Sequence, residues 1–249
     1  MTGVQTCALP ILDEAQDLSL VQILTLLQIS KNQNITIAGD LAQSIVPPFY
    51  IKDWKDVISL FKRVGCKNYS YHQLNRCYRS TLEIIEYANN IFRERFPKEY
   101  KLPEAVLRHG DEIKILTHSK DIKNLKELDL KNLVEEIKNQ FNKGIVTCAL
   151  ICRNKQDAQI AYDRLRKYGK YLERDIVNFD EEDYKTGLLV LPIENAKGLE
   201  FDTVILLDVN SDNYPDTELS TRLFYVGITR ALHRLIVIEN INRSPLLNK

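Results

Sequence analysis

The chain has 249 residues, with 34 basic side chains against 34 acidic, 44% hydrophobic and 27% charged content. That length can bury a real core in one or two domains, and the composition excludes a disordered chain; no apolar run is long enough to cross a bilayer, so no membrane partner is expected. Zero net charge supplies no global field for a polyanion, so any nucleic-acid contact must come from a local groove. The five cysteines, Cys7, Cys66, Cys77, Cys148 and Cys152, are odd in number and scattered, which suits a reducing cytoplasm better than a disulfide framework. Cys148 and Cys152 read as core thiols. The four histidines, His72, His109, His118 and His233, are isolated and show no metal spacing.

In chain order, "MTGVQTCALPI" has neither the basic start nor the apolar length of a secretory signal. It reads as the translation of a sequencing-library adapter from a GTG start, so residues 1–11 are expected to be an artefact and the chain a fragment joined at Leu12. "LVQILTLLQIS" has helical spacing, and "NITIAGD" reads as a strand ending in a Gly-Asp turn. Pro47 and Pro48 precede a short amphipathic helix, "WKDVISLFKRV", and "NYSYHQL" reads as an aromatic-rich strand. A long helix, "STLEIIEYANNIFRERF", is opened by Ser80 or Thr81 and closed by Pro97. "EIKILTH" is a strand, "LKNLVEEIKNQFNKG" a helix ending at Gly144, "VTCALICR" a strand, and "NKQDAQIAYDRLRKYG" a helix closed by its glycine. "GLLVLP", "TVILLDV" and "RLIVIE" are apolar strands, with the helix "LSTRLFYVGITRAL" between the last two. Strands buried on both faces and alternating with helices predict an α/β fold with parallel sheets flanked by helices.

"ILDEAQD" places Asp13 and Glu14 behind an apolar run, as in a Walker B pair, where one carboxylate holds Mg²⁺ and the other directs the attacking water. Acidic pairs alone are weak evidence, but "DEAQD", "AGDLAQSI", "LNRCYRS", "NAKGLEFD" and "RLFYVGITRA" follow one another in a fixed order. Together they resemble motifs II to VI of the UvrD/Rep-like superfamily 1 helicases, over residues 12–240. The resemblance implies two RecA-like lobes of the P-loop NTPase fold, the first truncated (residues 12–72) and the second at 73–249. It implies ATP and Mg²⁺ as cofactors, single-stranded or partly duplex DNA as partner, and motion on DNA driven by hydrolysis between the lobes. Carried onto this chain, Asp13 would coordinate Mg²⁺, Glu14 would be the catalytic base and Gln43 would sense the γ-phosphate. Tyr78 would stack on adenine. Arg79 and Arg230 would reach the γ-phosphate. Glu200 would accept from the ribose, and Gly198 would let the backbone approach closely. Phe49, Tyr50 or Trp54 could stack on bases.

Two departures qualify that picture. No G-x-x-x-x-G-K-[ST] occurs; at Gly169-Lys170 the first glycine's place holds Arg164 and the hydroxyl's place Tyr171, so this polypeptide alone is expected to bind ATP poorly and not turn it over. In the fifth motif, "PIENAKGLEF" puts Pro192 and Glu194 where many DNA-unwinding relatives have Thr and His. The stretch between the fourth and fifth motifs is also too short for the large 2B insertion of UvrD, Rep or PcrA relatives. These features lean toward the HelD-like branch, whose ATPases recycle stalled RNA polymerase, so that polymerase is the alternative partner. A non-catalytic scaffold is the third reading, opposed by the retention of Glu14, Arg79 and Arg230. A lobe without its first strands exposes sheet edge, so the first seventy residues are expected to aggregate or be partly molten.

Overall fold

Apolar strands alternating with amphipathic helices build an α/β structure in the computed structural model, which describes residues 10–46, 51–66, 68–96, 101–181 and 184–247. The chain divides into two compact units, residues 1–73 and 74–249. In the first, β1 (Ile11–Leu12) runs parallel to β2 (Thr36–Ile37), with Ile11 opposite Thr36 and Leu12 opposite Ile37. Between them lies α1 (Leu20–Ile29), opened by a reciprocal capping box in which the Ser19 hydroxyl accepts from the Gln22 amide and Gln22 takes the Ser19 N–H. Helix α2 (Trp54–Arg63) starts at Asp53, whose carboxylate accepts from the Lys55 amide. Ile23, Ile51 and Val57 form the small core, with Trp54, Leu60 and Phe61 packed against it.

The second unit opens with β3 (Arg76–Cys77), α3 (Leu82–Arg95) and β4 (Glu104–Ala105), β3 and β4 pairing in parallel. Then come β5 (Lys114–Thr117), α4 (Glu127–Asn142), β6 (Thr147–Cys152), α5 (Lys155–Leu165), α6 (Gly169–Leu172), β7 (Ile176–Asn178), β8 (Gly187–Pro192), β9 (Phe201–Leu206), α7 (Glu218–Ile228) and β10 (Ala231–Glu239). Six strands form one all-parallel sheet in the order β5-β10-β9-β6-β8-β7. Cys148, Leu150, Cys152, Leu188, Val190 and Ile236 share one face with Leu133, Ile137 and Phe141 of α4 and Ala158 and Leu165 of α5. The opposite face carries α7, whose Gly227 lies so close to Leu206 that a Cβ there would sit 2.8 Å from Cδ2. Phe92 of α3 stacks on Tyr225 of α7 at 5.0 Å. A sheet with both faces covered must be apolar on both, which is why the strands read as continuous hydrophobic runs. Burial drives the Cys148 and Cys152 thiols well above their ordinary range, as inert core thiols require.

Several local expectations are corrected. "NYSYHQL" is not a strand: residues 68–74 are irregular and exposed, and pairing begins only at Arg76. Gly169 does not close its helix; with φ −53 it continues into α6, and the chain turns instead at Glu173, φ 54. Gly144 does take the left-handed conformation just past α4, at φ 85. The last helix stops at Ile228, and Ala231 and Leu232 already belong to β10. Of the two cap candidates, Thr81 does sit at the cap position of α3, without a side-chain cap hydrogen bond. Residues 1–9, Phe49, Tyr50, the two prolines before them and Pro97 lie outside the described residues.

Candidate functional site

In the first unit, β1 delivers Asp13, which is exposed, and Glu14, half-buried at φ 55. A left-handed non-glycine residue is a place where backbone strain is held by its surroundings, and here the surroundings are specific. The Asp13 carboxylate accepts from the Glu14 amide at 2.8 Å, and Ala15 N–H donates to Ala38 O at 2.9 Å. The Gln16 side chain, fully buried, donates to the Glu14 carboxylate and accepts from Asp40 N–H at 3.0 Å. Asp40 caps the following turn and accepts from Gln43 Nε2 at 2.8 Å. Gly39 leaves no room for a side chain, since a Cβ would lie 2.3 Å from Gln16 Oε1. Asp13, Glu14 and Gln43 thus sit on two turns, one after each strand, that a single amide side chain binds together. Gln16 was missed in the sequence; its signal was a polar residue two positions beyond the acidic pair, facing the next motif's Gly-Asp turn. Trp54 lies half-buried on the unit's own core.

In the second unit three separated segments meet where β9 and β10 begin. Tyr78 is 66% exposed. Arg79 pairs through Nη1 with Glu200. Ser80, buried, donates to the Ala231 carbonyl at 2.6 Å, which ties the fourth motif to the sixth. Gly198 adopts φ 79 with open space around its missing Cβ, so glycine is required there by conformation and not by crowding. Arg230 is 6% exposed and folded back, donating to the carbonyls of Val226 at 3.2 Å and Leu199 at 3.3 Å and to the Thr229 hydroxyl at 3.3 Å. Its own carbonyl accepts from Phe201 N–H at 3.0 Å. The guanidinium of motif VI therefore spans the turn of motif V. Glu194 of that turn is exposed at the end of β8, while Pro192 and Ile193 are buried.

Asp202, next to Glu200, anchors the start of β9: its Oδ2 accepts from the Val146 and Thr147 amides at 2.8 and 2.9 Å. Burial alone would raise this carboxyl, but those two amides, with the Thr147 hydroxyl, hold it below the usual carboxylate range. Glu83, in the first turn of α3, is held down near 2 by its own amide, by His109 and by the Gly110 amide.

The UvrD-like helicase C-terminal domain family matches residues 187–238, which run from β8 through β10 and contain Gly198, Glu200 and Arg230. Over residues 187–238 the chain is similar to the UvrD-like helicase C-terminal domain. It is 30% identical over 165 residues to the ATP-dependent DNA helicase UvrD1 of Mycobacterium tuberculosis and of Mycobacterium bovis, an alignment covering 59% of this chain. The same alignment covers 21% of those relatives, so the chain matches about a fifth of their length. Its fold is similar to the C-terminal domain of a possible DNA helicase from Lactobacillus plantarum WCFS1, with a TM-score of 0.54, 25% identity, and coverage of 69% of this chain and 92% of that one. The six-stranded parallel sheet flanked by helices accordingly matches a helicase C-terminal RecA-like domain. Tyr78 and Arg79 lie before the family match and reach it through the Arg79–Glu200 and Ser80–Ala231 contacts. Among the described residues no helix is long and apolar enough to cross a membrane.

Proposed function

We propose that this chain supplies Walker B and arginine-bearing parts of an ATP-driven DNA helicase or translocase. The observation that carries the reading is the convergence of motifs IV, V and VI on one end of the sheet, where Arg79, Glu200 and Arg230 share a few linked turns. Chance placement of such residue types does not build that network; a site for a triphosphate needs it, because guanidinium groups stabilise charge that grows in the transition state.

In this reading Glu14 orients water for attack on the γ-phosphate, and Gln43, held to Asp40, reports the phosphate's presence to the turn after β2. Arg79 leaves Glu200 for a phosphate oxygen, Arg230 unfolds from the Leu199 carbonyl toward the same charge, and Glu200 is released to accept from the ribose. Tyr78, already exposed, offers its ring to adenine. Asp13 suits Mg²⁺ because it is an exposed carboxylate just past the end of β1. Bound there, Mg²⁺ would neutralise charge on the phosphates. Of the base-stacking candidates, Trp54 keeps one face on the core, and Phe49 and Tyr50 precede it in the same segment.

The test is ATP hydrolysis by the full-length gene product, with and without single-stranded DNA. DNA-stimulated turnover, lowered roughly 10³-fold or more by Arg230→Ala or Glu14→Gln, is the expected result. Absence of ATP turnover by the full-length gene product, or turnover indifferent to Arg230→Ala, overturns the proposal. The exposed Glu194 favours one second reading, an ATPase acting on RNA polymerase, because a carboxylate on the strand-facing turn repels a phosphate backbone. Stimulation by RNA polymerase and not by DNA would select it.

A further inference from the structure

The segment 104–110 lies against the arginine-bearing motif IV along its whole length. Glu104 N–H donates to Asn75 O at 2.7 Å and Val106 N–H to Cys77 O at 3.2 Å, two successive rungs of a ladder at every second residue. The third rung falls at Arg79 O, and the backbone cannot supply it, because Arg108 N–H is turned onto Val106 O at 2.6 Å. The Arg108 side chain supplies it instead: Nη1 donates to Arg79 O at 3.1 Å. Its Nη2 lies 2.5 Å from His233 Nδ1. An arginine nitrogen can only donate, so Nδ1, the nearer ring nitrogen, is its acceptor, while Nε2 lies 3.5 Å from the same Nη2 and 3.8 Å from the Asp202 carboxylate. Beyond Arg108 the segment is fixed again, with Leu82 N–H on Arg108 O at 2.9 Å and the Glu83 carboxylate on His109 Nδ1 and Gly110 N–H at 2.9 and 2.8 Å.

We propose that Arg108 is a positioning residue: it holds the Arg79 main chain against the His233–Asp202 pair at the start of β9 and β10, and so presents the Arg79 guanidinium to Glu200. Its significance for catalysis rests on the reading of Arg79 given above; its structural content does not. The Arg108 and His233 side chains line an open cavity of about 400 Å³, so polar contacts and not apolar packing keep them in place. That makes the arrangement removable one contact at a time without opening the core. One guanidinium thereby links motif IV, which provides Arg79, to the strand that follows motif VI.

The experiment is arginine-selective NMR of the 249-residue chain, following the Arg79 guanidinium signal, identified by its disappearance in Arg79→Lys and its collapsed position in Glu200→Gln. Arg108→Met keeps the stem and removes every donor. It is expected to move the Arg79 signal to the Glu200→Gln position while the amide signals of β6, β9 and β10 stay in place. His233→Leu should do the same, and His233→Asn, which retains an acceptor, should preserve the wild-type signal. An Arg79 signal unmoved by Arg108→Met or His233→Leu overturns the proposal. So does loss of dispersion across the sheet in both variants, which would make Arg108 a general structural residue, and so does a wild-type signal indistinguishable from Glu200→Gln. These readouts need no nucleotide, so failure of the ATPase test leaves them standing and their failure leaves the ATPase test open.

Discussion

At the scale of single residues, polar side chains buried between turns do what the apolar core cannot, which is to fix the direction of a turn. Gln16 is the clearest case, bonded at once to Glu14 and Asp40 with no solvent exposure. Gln16→Ala should destabilise the first unit by about 1–3 kcal/mol, the cost of removing its hydrogen bonds to half-buried partners, measured as a lower urea midpoint for that unit. Gly39→Ala should have a similar effect, by pushing Gln16 aside. Asp208 behaves in the opposite way. It sits at φ 54 just past β9, accepts from Ile122 N–H at 2.8 Å, and is pushed up to about 7, first by burial and then by Asp121 and Asp157. A carboxyl raised in the folded state binds its proton more tightly there than in the unfolded chain. Its penalty is therefore absent below about pH 4 and grows until the pH passes about 7. The second unit should lose stability as pH rises from 5 to 8. Asp208→Asn keeps the acceptor and tolerates the left-handed backbone, so it should remove that slope and stabilise the unit at pH 8 by about 2–4 kcal/mol. Urea unfolding of both proteins at pH 5 and pH 8 checks this.

At the scale of elements, helix ends were legible where side chains cap them and illegible where tertiary contacts decide. Asn154 accepts from the Asp157 amide and Thr217 from the Ser220 amide, so α5 and α7 start where a sequence reader would put them. Gly144 and Gly169 look alike in sequence, each at the end of an amphipathic run. Only Gly144 is left-handed; Gly169 stays helical because the chain needs one further turn before β7, which itself is too short to announce its presence. Helix α7 is buried along nearly all of its length, and its buried cation Arg222 is paired with Glu218, which matches its place between α3 and the sheet. Phe92 seals that contact, with Phe96 at 4.7 Å and Tyr225 at 5.0 Å. Phe92→Ala should cost about 3–5 kcal/mol, read as a fall in the thermal midpoint of the second unit.

At the scale of the whole chain, the two units differ in what holds them. The second has a six-stranded sheet with a helical layer on each face, whereas the first has, among the described residues, two strands of two residues each and a core centred on Ile23, Ile51 and Val57. A two-stranded pair gives little independent stability. Unfolding should therefore occur in two steps, residues 1–73 melting first, with near-ultraviolet signals from Trp54, the chain's one tryptophan, lost before the sheet's far-ultraviolet signal. A single cooperative transition would contradict that expectation.

The order of the five motifs, the α/β alternation and the identity of the candidate site residues were determined by the sequence, because each depends on residue type and spacing along the chain. Which of those residues touch was decided only by the tertiary structure. Arg79 and Glu200, or Ser80 and Ala231, stand far apart in sequence and meet because strand order in the sheet brings β10 beside β9 and lays motif IV against their starting ends. Likewise nothing in "VLRHG" marks Arg108 as more than a surface charge. Its partners, the Arg79 carbonyl and His233, are set by backbone pairing between β3 and β4 and by the register of β10, and pairing across a chain is a long-range choice that no local pattern encodes.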